Sequence, residues 1–176
     1  MKIIEKKIKL DLNEKLSYFR ISIFLTVVSI ICIYNGTKGF RIYSYENVFH
    51  TLNKIGIFIF LLSIIFFIIN RKNLKLKHHK LTVEQEVFKR DLQKMVELND
   101  WNIKFISENF MLIETDRNYL NHKYFISESY GELIYIVLEN GSLYLKSIFD
   151  FNKNKVFTVS TGENRMNEKL IINLAS

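Results

Sequence analysis

Two stretches of this chain carry no charged residue at all: residues 21–34 (ISIFLTVVSIICIY) and residues 55–69 (IGIFIFLLSIIFFII). Neither leaves a polar stripe at helical spacing. A helix that is apolar all round belongs inside a large protein or in lipid. With 176 residues in total, the rest of the chain is too small to wrap both, so the constraint points to a bilayer.

Length is the objection. At 1.5 Å per residue the two runs span roughly 21–23 Å, short of the ~30 Å hydrocarbon core. The flanks make up the difference. Leu16, Tyr18 and Phe19 extend the first run, with Arg20 placed to snorkel. Val48, Phe49 and Leu52 extend the second, with Lys54 snorkelling and His50 and Asn53 near the headgroups. Tyr18, Tyr34, Tyr43 and Tyr45 stand where an aromatic belt would. These features predict transmembrane helices over about 16–34 and 50–69. No small-residue cleavage site follows the first run, and Ile31 precedes Cys32 where a lipoprotein needs a small residue. The single Cys also excludes a disulfide framework and a thiolate zinc cluster.

The net charge of +7 invites a nucleic-acid reading. Its distribution argues otherwise. The first 20 residues hold six Lys/Arg and three acids, residues 35–54 three and one, and residues 70–80 five and none. Residues 81–176 hold 11 Lys/Arg against 14 Asp/Glu. On these counts the positive excess brackets the apolar pair, and the remainder lacks the basic face that nucleic acid requires. The positive-inside rule then places both termini in the cytoplasm of a bacterial inner membrane, with a ~20-residue loop outside. Arg20, Arg71, Lys72, Lys75, Lys77 and Lys80 are the residues expected to set this topology and to face anionic headgroups. The expected organisation is a membrane segment and basic linker over 1–80, then a cytosolic domain over 81–176.

In that domain Thr82-Val83-Glu84-Gln85 has the form of a capping box, with Leu81 as its hydrophobic staple. Val83, Val87, Phe88, Leu92, Met95 and Val96 follow at helical spacing, predicting a helix over about 83–98. Strands are predicted at 102–106, 110–115, 124–127, 132–138, 142–148 and 155–159. Glu108-Asn109 and Asn140-Gly141 are the turns, and Asn-Gly between apolar runs is the strongest short hairpin signal. Met166, Leu170 and Leu174 repeat every fourth residue and predict a closing helix from about Glu163. The fold class expected is a membrane α-helical hairpin plus a two-layer α+β domain with an antiparallel sheet.

The series Trp101, Tyr130-Gly131-Glu132-x-Ile134-x-Ile136, Gly141, Ser147 and Thr161-Gly162-Glu163-Asn164 resembles a family of small membrane-associated bacterial proteins of unknown function. The similarity covers about 75 residues. It departs at the last motif, where Glu163 stands in place of a basic residue and no aromatic precedes the glycine. The resemblance implies a fold and no chemistry.

Catalytic patterns are not evident. His50, His78, His79 and His122 form no metal-ligand pair, and no G-x-S-x-G or phosphate-binding glycine loop occurs. Glu132, Glu139 and Asp150 read as isolated on hairpins, and Thr161-Gly162-Glu163-Asn164 reads as a turn into a helix cap rather than an anion site. The expectation is therefore a non-enzymatic protein with no cofactor. It would hold a small interaction domain at the membrane as an accessory, regulatory or immunity-type protein, with a protein partner or a second copy besides the lipid bilayer. The alternative is a two-helix membrane-permeabilising effector with a C-terminal sensing domain. A third reading, a lipid or small-ligand pocket, rests only on the 15 Phe and nine Tyr.

Overall fold

The computed structural model describes residues 2–4, 6–42, 46–115, 131–150, 153 and 163–175. The chain divides into two compact units: Leu10–Lys72, and Met1–Lys9 together with Asn73–Ser176. The second unit is discontinuous. It takes in residues 1–9 and 73–80, which the sequence analysis assigned to the membrane segment. With these bounds it holds 18 Lys/Arg against 15 Asp/Glu, a net +3 rather than −3, and the helical unit holds seven against three.

The helical unit opens with α1 (Leu12–Tyr18). Asp11 and Glu14 cap it reciprocally: Asp11 Oδ1 accepts from the Glu14 N–H at 2.9 Å, and Glu14 Oε2 accepts from the Asp11 N–H at 2.8 Å. Two long helices follow, α2 (Arg20–Ile42) and α3 (Glu46–Asn73). Both run on into the stretch expected as a loop, so only residues 43–45 separate them. That stretch contains no proline, and an established helix extends at one hydrogen bond per residue fixed. The Thr37 hydroxyl donates back to the Tyr34 carbonyl at 2.9 Å. Arg20–Lys38 and His50–Asn73 are long and apolar enough to cross a membrane.

α2 and α3 meet along a seam of small residues. Ser22, Ser29 and Gly36 on α2, with Gly56 and Ser63 on α3, are buried. Each set recurs every seventh residue, the period of a left-handed helix pair. The Ser63 hydroxyl donates to the Ser22 carbonyl at 2.8 Å and lies 2.6 Å from the Thr26 hydroxyl. A Cβ at Gly56 would stand 2.7 Å from Ile33 Cγ1 and 3.1 Å from the Ser29 carbonyl oxygen. The pairings Ser22 with Ser63 and Ser29 with Gly56 define one antiparallel register. Large side chains such as Phe24, Ile31, Phe58 and Ile65 are left exposed.

The α+β unit begins with a two-stranded ribbon, β1 (Lys2–Ile4) and β2 (Lys7–Lys9). Beyond α3 the chain returns to it: the Ile8 N–H donates to Leu74 O and the Leu76 N–H to Lys6 O, each at 3.0 Å. Then come β3 (Lys77–Lys80), α4 (Gln85–Leu98), β4 (Asn102–Ile106), β5 (Phe110–Glu114), β6 (Glu132–Glu139), β7 (Ser142–Phe149) and α5 (Glu163–Leu174). The five strands from β3 onward form an antiparallel sheet in the order β3-β7-β6-β5-β4. Strand β3 was not expected, because Lys-His-His-Lys has no apolar alternation. The predicted strands at 124–127 and 155–159 lie outside the described residues. At the β6–β7 turn Asn140 and Gly141 take φ of 48° and 70°, as an Asn-Gly hairpin requires.

Period-2 alternation sends Met111, Ile113, Ile134, Ile136, Leu143 and Leu145 to one face of the sheet, where Phe88, Leu92 and Val96 of α4 and Ile171 of α5 complete the core. Leu133, Tyr135 and Ile148, on the opposite face, are buried as well.

Two local expectations fail. The capping box at Thr82 does not form: Glu84 is the N-cap of α4 and makes no side-chain cap bond. The Thr82 hydroxyl and N–H both donate to the Ala175 carbonyl instead, each at 2.9 Å. In α5 the buried face is Asn167, Glu168 and Ile171, while Met166 is 65% exposed. The reason is that the sheet offers α5 buried polar partners, so polar residues hold the inward face and the four-residue apolar repeat does not mark it.

Candidate functional site

The chemistry-bearing residues of the α+β unit gather where β5 ends, β6 begins, β7 ends and α5 begins. Register places them there. Glu114 pairs with Leu133 across β5–β6, and Glu132 with Phe149 across β6–β7. Gly131 makes the approach possible: at φ 156° a Cβ there would run into the Thr115 carbonyl oxygen. Backbone bonds from Thr115 to Glu132 O and from Asp150 to Gly131 O, each 2.9 Å, close this end of the sheet.

Glu132 is 0% exposed. Its Oε2 accepts from the Thr115 hydroxyl at 2.5 Å and from Asn167 Nδ2 at 3.3 Å, and its own N–H donates to Thr115 Oγ1 at 2.9 Å. A hydroxyl donating to a carboxylate is the geometry of an activated nucleophile. Thr115 is itself buried, however, so here the pair ties β5 to β6.

Glu168 of α5 sits beside it. Its Oε2 lies 2.6 Å from Lys77 Nζ, and its Oε1 lies 3.3 Å from Lys146 Nζ and accepts the Ser147 N–H at 3.2 Å. The Ser147 hydroxyl donates to Asn164 Oδ1 at 2.8 Å. Burial by itself would raise the Glu168 carboxyl. The Lys77 hydrogen bond, Lys146 and the Ser147 N–H outweigh it and hold the group below its ordinary value.

A third group surrounds Glu114. Lys153 and Lys104 approach its Oε1 at 2.8 and 2.9 Å, and Lys104 also reaches Asp150 Oδ2 at 3.7 Å. Asn102 pairs with Glu114, so strand alternation puts Lys104 on the same face as these acids, and a register shift between Ile103 and Phe105 leaves it without a paired residue on β5. Burial opposes ionisation of Glu114, but Lys153 and Lys104, both hydrogen-bonded to it, prevail and hold its carboxyl at about 2.

This cluster overturns the reading of Glu132 and Asp150 as isolated. Glu139, on the far side of the turn, pairs with Lys6 at 3.3 Å. The residues expected to set topology are scattered. Arg20 opens α2, Arg71 and Lys72 close α3, and Lys75 pairs with Lys7 in an isolated bridge. Lys77 and Lys80 belong to β3, and Lys77 is the residue that the buried cluster recruits. His78 and His79 diverge on β3, with His78 against Tyr144 and Ser142. Among the described residues no group of three or more His, Cys, Asp and Glu is arranged to hold a metal ion.

Across the whole chain no protein-family model matches. No curated protein and no solved structure gives a significant match. Every acid of the cluster faces a lysine, a hydroxyl or an amide from another element. The arrangement fastens α5 and the strand ends to one another.

Proposed function

We propose that this chain is a bacterial inner-membrane protein whose helices α2 and α3 span the bilayer as a hairpin and hold the α+β unit at the cytoplasmic face as a non-enzymatic interaction module. An accessory, regulatory or immunity-type role fits this arrangement. The observation that carries the reading is the outward face of the two helices. The small residues turn inward, and Phe24, Ile31, Phe58 and Ile65 are left about half exposed. Such a surface has its lowest free energy in hydrocarbon.

The bonds from Ile8 to Leu74 and from Leu76 to Lys6 support the sidedness. The chain enters and leaves the helical unit at one place, which requires an even number of crossings. The Lys/Arg excess flanking the helices favours the cytoplasmic side. The interaction role is supported by the bonding of the buried acids, each of which faces a lysine, a hydroxyl or an amide of another element. The permeabilising alternative draws little support from the seam, whose polar groups are serine and threonine hydroxyls with no ionisable group among them.

Three measurements test the proposal. Cysteines placed at exposed positions of α5, such as Arg165→Cys, should resist a membrane-impermeant thiol reagent in intact cells and react after permeabilisation; labelling of intact cells would overturn the topology. Crosslinking in cells followed by mass spectrometry should return a reproducible protein partner. Loss of membrane potential on expression, read with a dye, would favour the effector instead.

A further inference from the structure

We propose that β4 is a docking edge for an extended apolar segment of another protein, flanked at both ends by lysine or arginine. This rests on the interaction-module reading and names the surface and the chemistry of the partner.

Strand β4 ends the sheet, with β5 as its single neighbour among the described strands. A strand edge is a template for another strand, and natural sheets guard it with a projecting lysine or a bulge; β4 has a single register shift, between Ile103 and Phe105, and its two ends stay in regular extended pairing with β5. Here the one charged residue of the strand does not serve as guard. Lys104 is turned to Glu114 at 2.9 Å and Asp150 at 3.7 Å. What projects instead is apolar. Ile103, Phe105 and Ile106 are 38%, 52% and 49% exposed, and Leu98 just before the strand is 85% exposed. Because successive residues of a strand face opposite ways, an added strand would find apolar neighbours on both faces.

Charge decides the kind of partner. Glu97 and Asp100 precede β4, and Glu108 follows it, all three exposed. None has an ion pair among those found in the described residues. The edge is therefore a strand about 17 Å long, at 3.4 Å per residue, that exposes Ile103, Phe105 and Ile106 and has acid at each end. A complementary segment is extended, apolar for about five residues and basic at both flanks.

The test uses the full chain in detergent micelles and two synthetic nine-residue peptides with the same alternating Val/Thr centre. One carries lysines at both ends and the other glutamates. Trp101, the only tryptophan and the residue immediately before β4, reports binding by its emission. Amide exchange at 102–106 reports strand addition. The lysine peptide should bind about tenfold more tightly than the glutamate peptide and slow exchange at 102–106. The triple variant E97K/D100K/E108K should reverse that preference, with exchange in β6 unchanged as evidence that it is folded. Equal affinity for the two peptides, or no slowing at 102–106, overturns the proposal. So does protection of 102–106 in the unliganded protein together with a doubled mass, which would mean that a second copy covers the edge. A partner crosslinked in cells that leaves 102–106 unprotected overturns the docking edge and keeps the interaction module. Finding no crosslinked partner at all overturns the module itself.

Discussion

Lys77 Nζ lies 2.6 Å from Glu168 Oε2, so the strand that follows the second long helix is tied directly to the closing helix of the α+β unit. The two partners are not equivalent. Glu168 is 5% exposed and also faces Lys146, which is 10% exposed, whereas Lys77 is half in solvent. Removing Glu168 leaves Lys146 buried without its counter-charge, and removing Lys77 leaves Glu168 still bonded to Lys146 and Ser147. Glu168→Ala should therefore destabilise by about 3 kcal/mol. Lys77→Ala should cost about 1 kcal/mol or less. Urea unfolding in micelles, followed by Trp101 emission, measures both; equal losses would contradict the asymmetry.

Glu114 and Glu168 both ionise below their ordinary value of 4.5, with Glu114 at about 2. A carboxyl depressed in the folded state contributes stability that is fully present above its unfolded value and lost as pH falls through its folded one. Stability should hold down to about pH 5 and then decline toward pH 2. The variant E114Q/E168Q should be less stable at neutral pH and should lose less between pH 5 and 2. Unfolding midpoints across that range check the sign.

The seam of the helical unit predicts which cysteine pairs can join. In a Cys32→Ser background, Ser22→Cys with Ser63→Cys, and Ser29→Cys with Gly56→Cys, should form disulfides on mild oxidation. Ser22→Cys with Gly56→Cys should not, because a seven-residue slip displaces the partners by about 10 Å, beyond disulfide reach. Crosslinking of the slipped pair would mean a different register.

At the β6–β7 turn a Cβ on Gly141 meets nothing within 4 Å, so a substitution there is felt through backbone conformation alone. Gly141→Ala should cost about 1 kcal/mol at its φ of 70°. Gly141→Asn should recover part of that loss. A thermal shift on both variants reads the difference.

Some of this architecture was plain in the residues. Asn140-Gly141 between alternating apolar runs marked its hairpin, because the turn needs two residues at positive φ and the flanking strands bury one face. The α4 face of Phe88, Leu92 and Val96 was equally legible. Thr82 misled because a hydroxyl takes whichever acceptor tertiary structure offers, and here Ala175 won over the local cap. The seam was missed for a reason of period. Close helix contacts are most readily recognised from small residues four apart, while Ser22, Ser29 and Gly36 lie seven apart. The buried cluster could not be read at all. Its members come from residues as far apart as Lys77 and Glu168, and only strand register brings them together.

The return of residues 74–76 to β2 has a consequence for the order in which the protein is made. Its first two strands leave the ribosome before either long helix, yet the partners of Lys6 and Ile8 are synthesised only after both. The ribbon cannot dock on residues 74–76 until the whole intervening helical segment has been made. Docking of the ribbon thus waits on the whole helical segment, whereas the five-stranded sheet draws all its strands from beyond it.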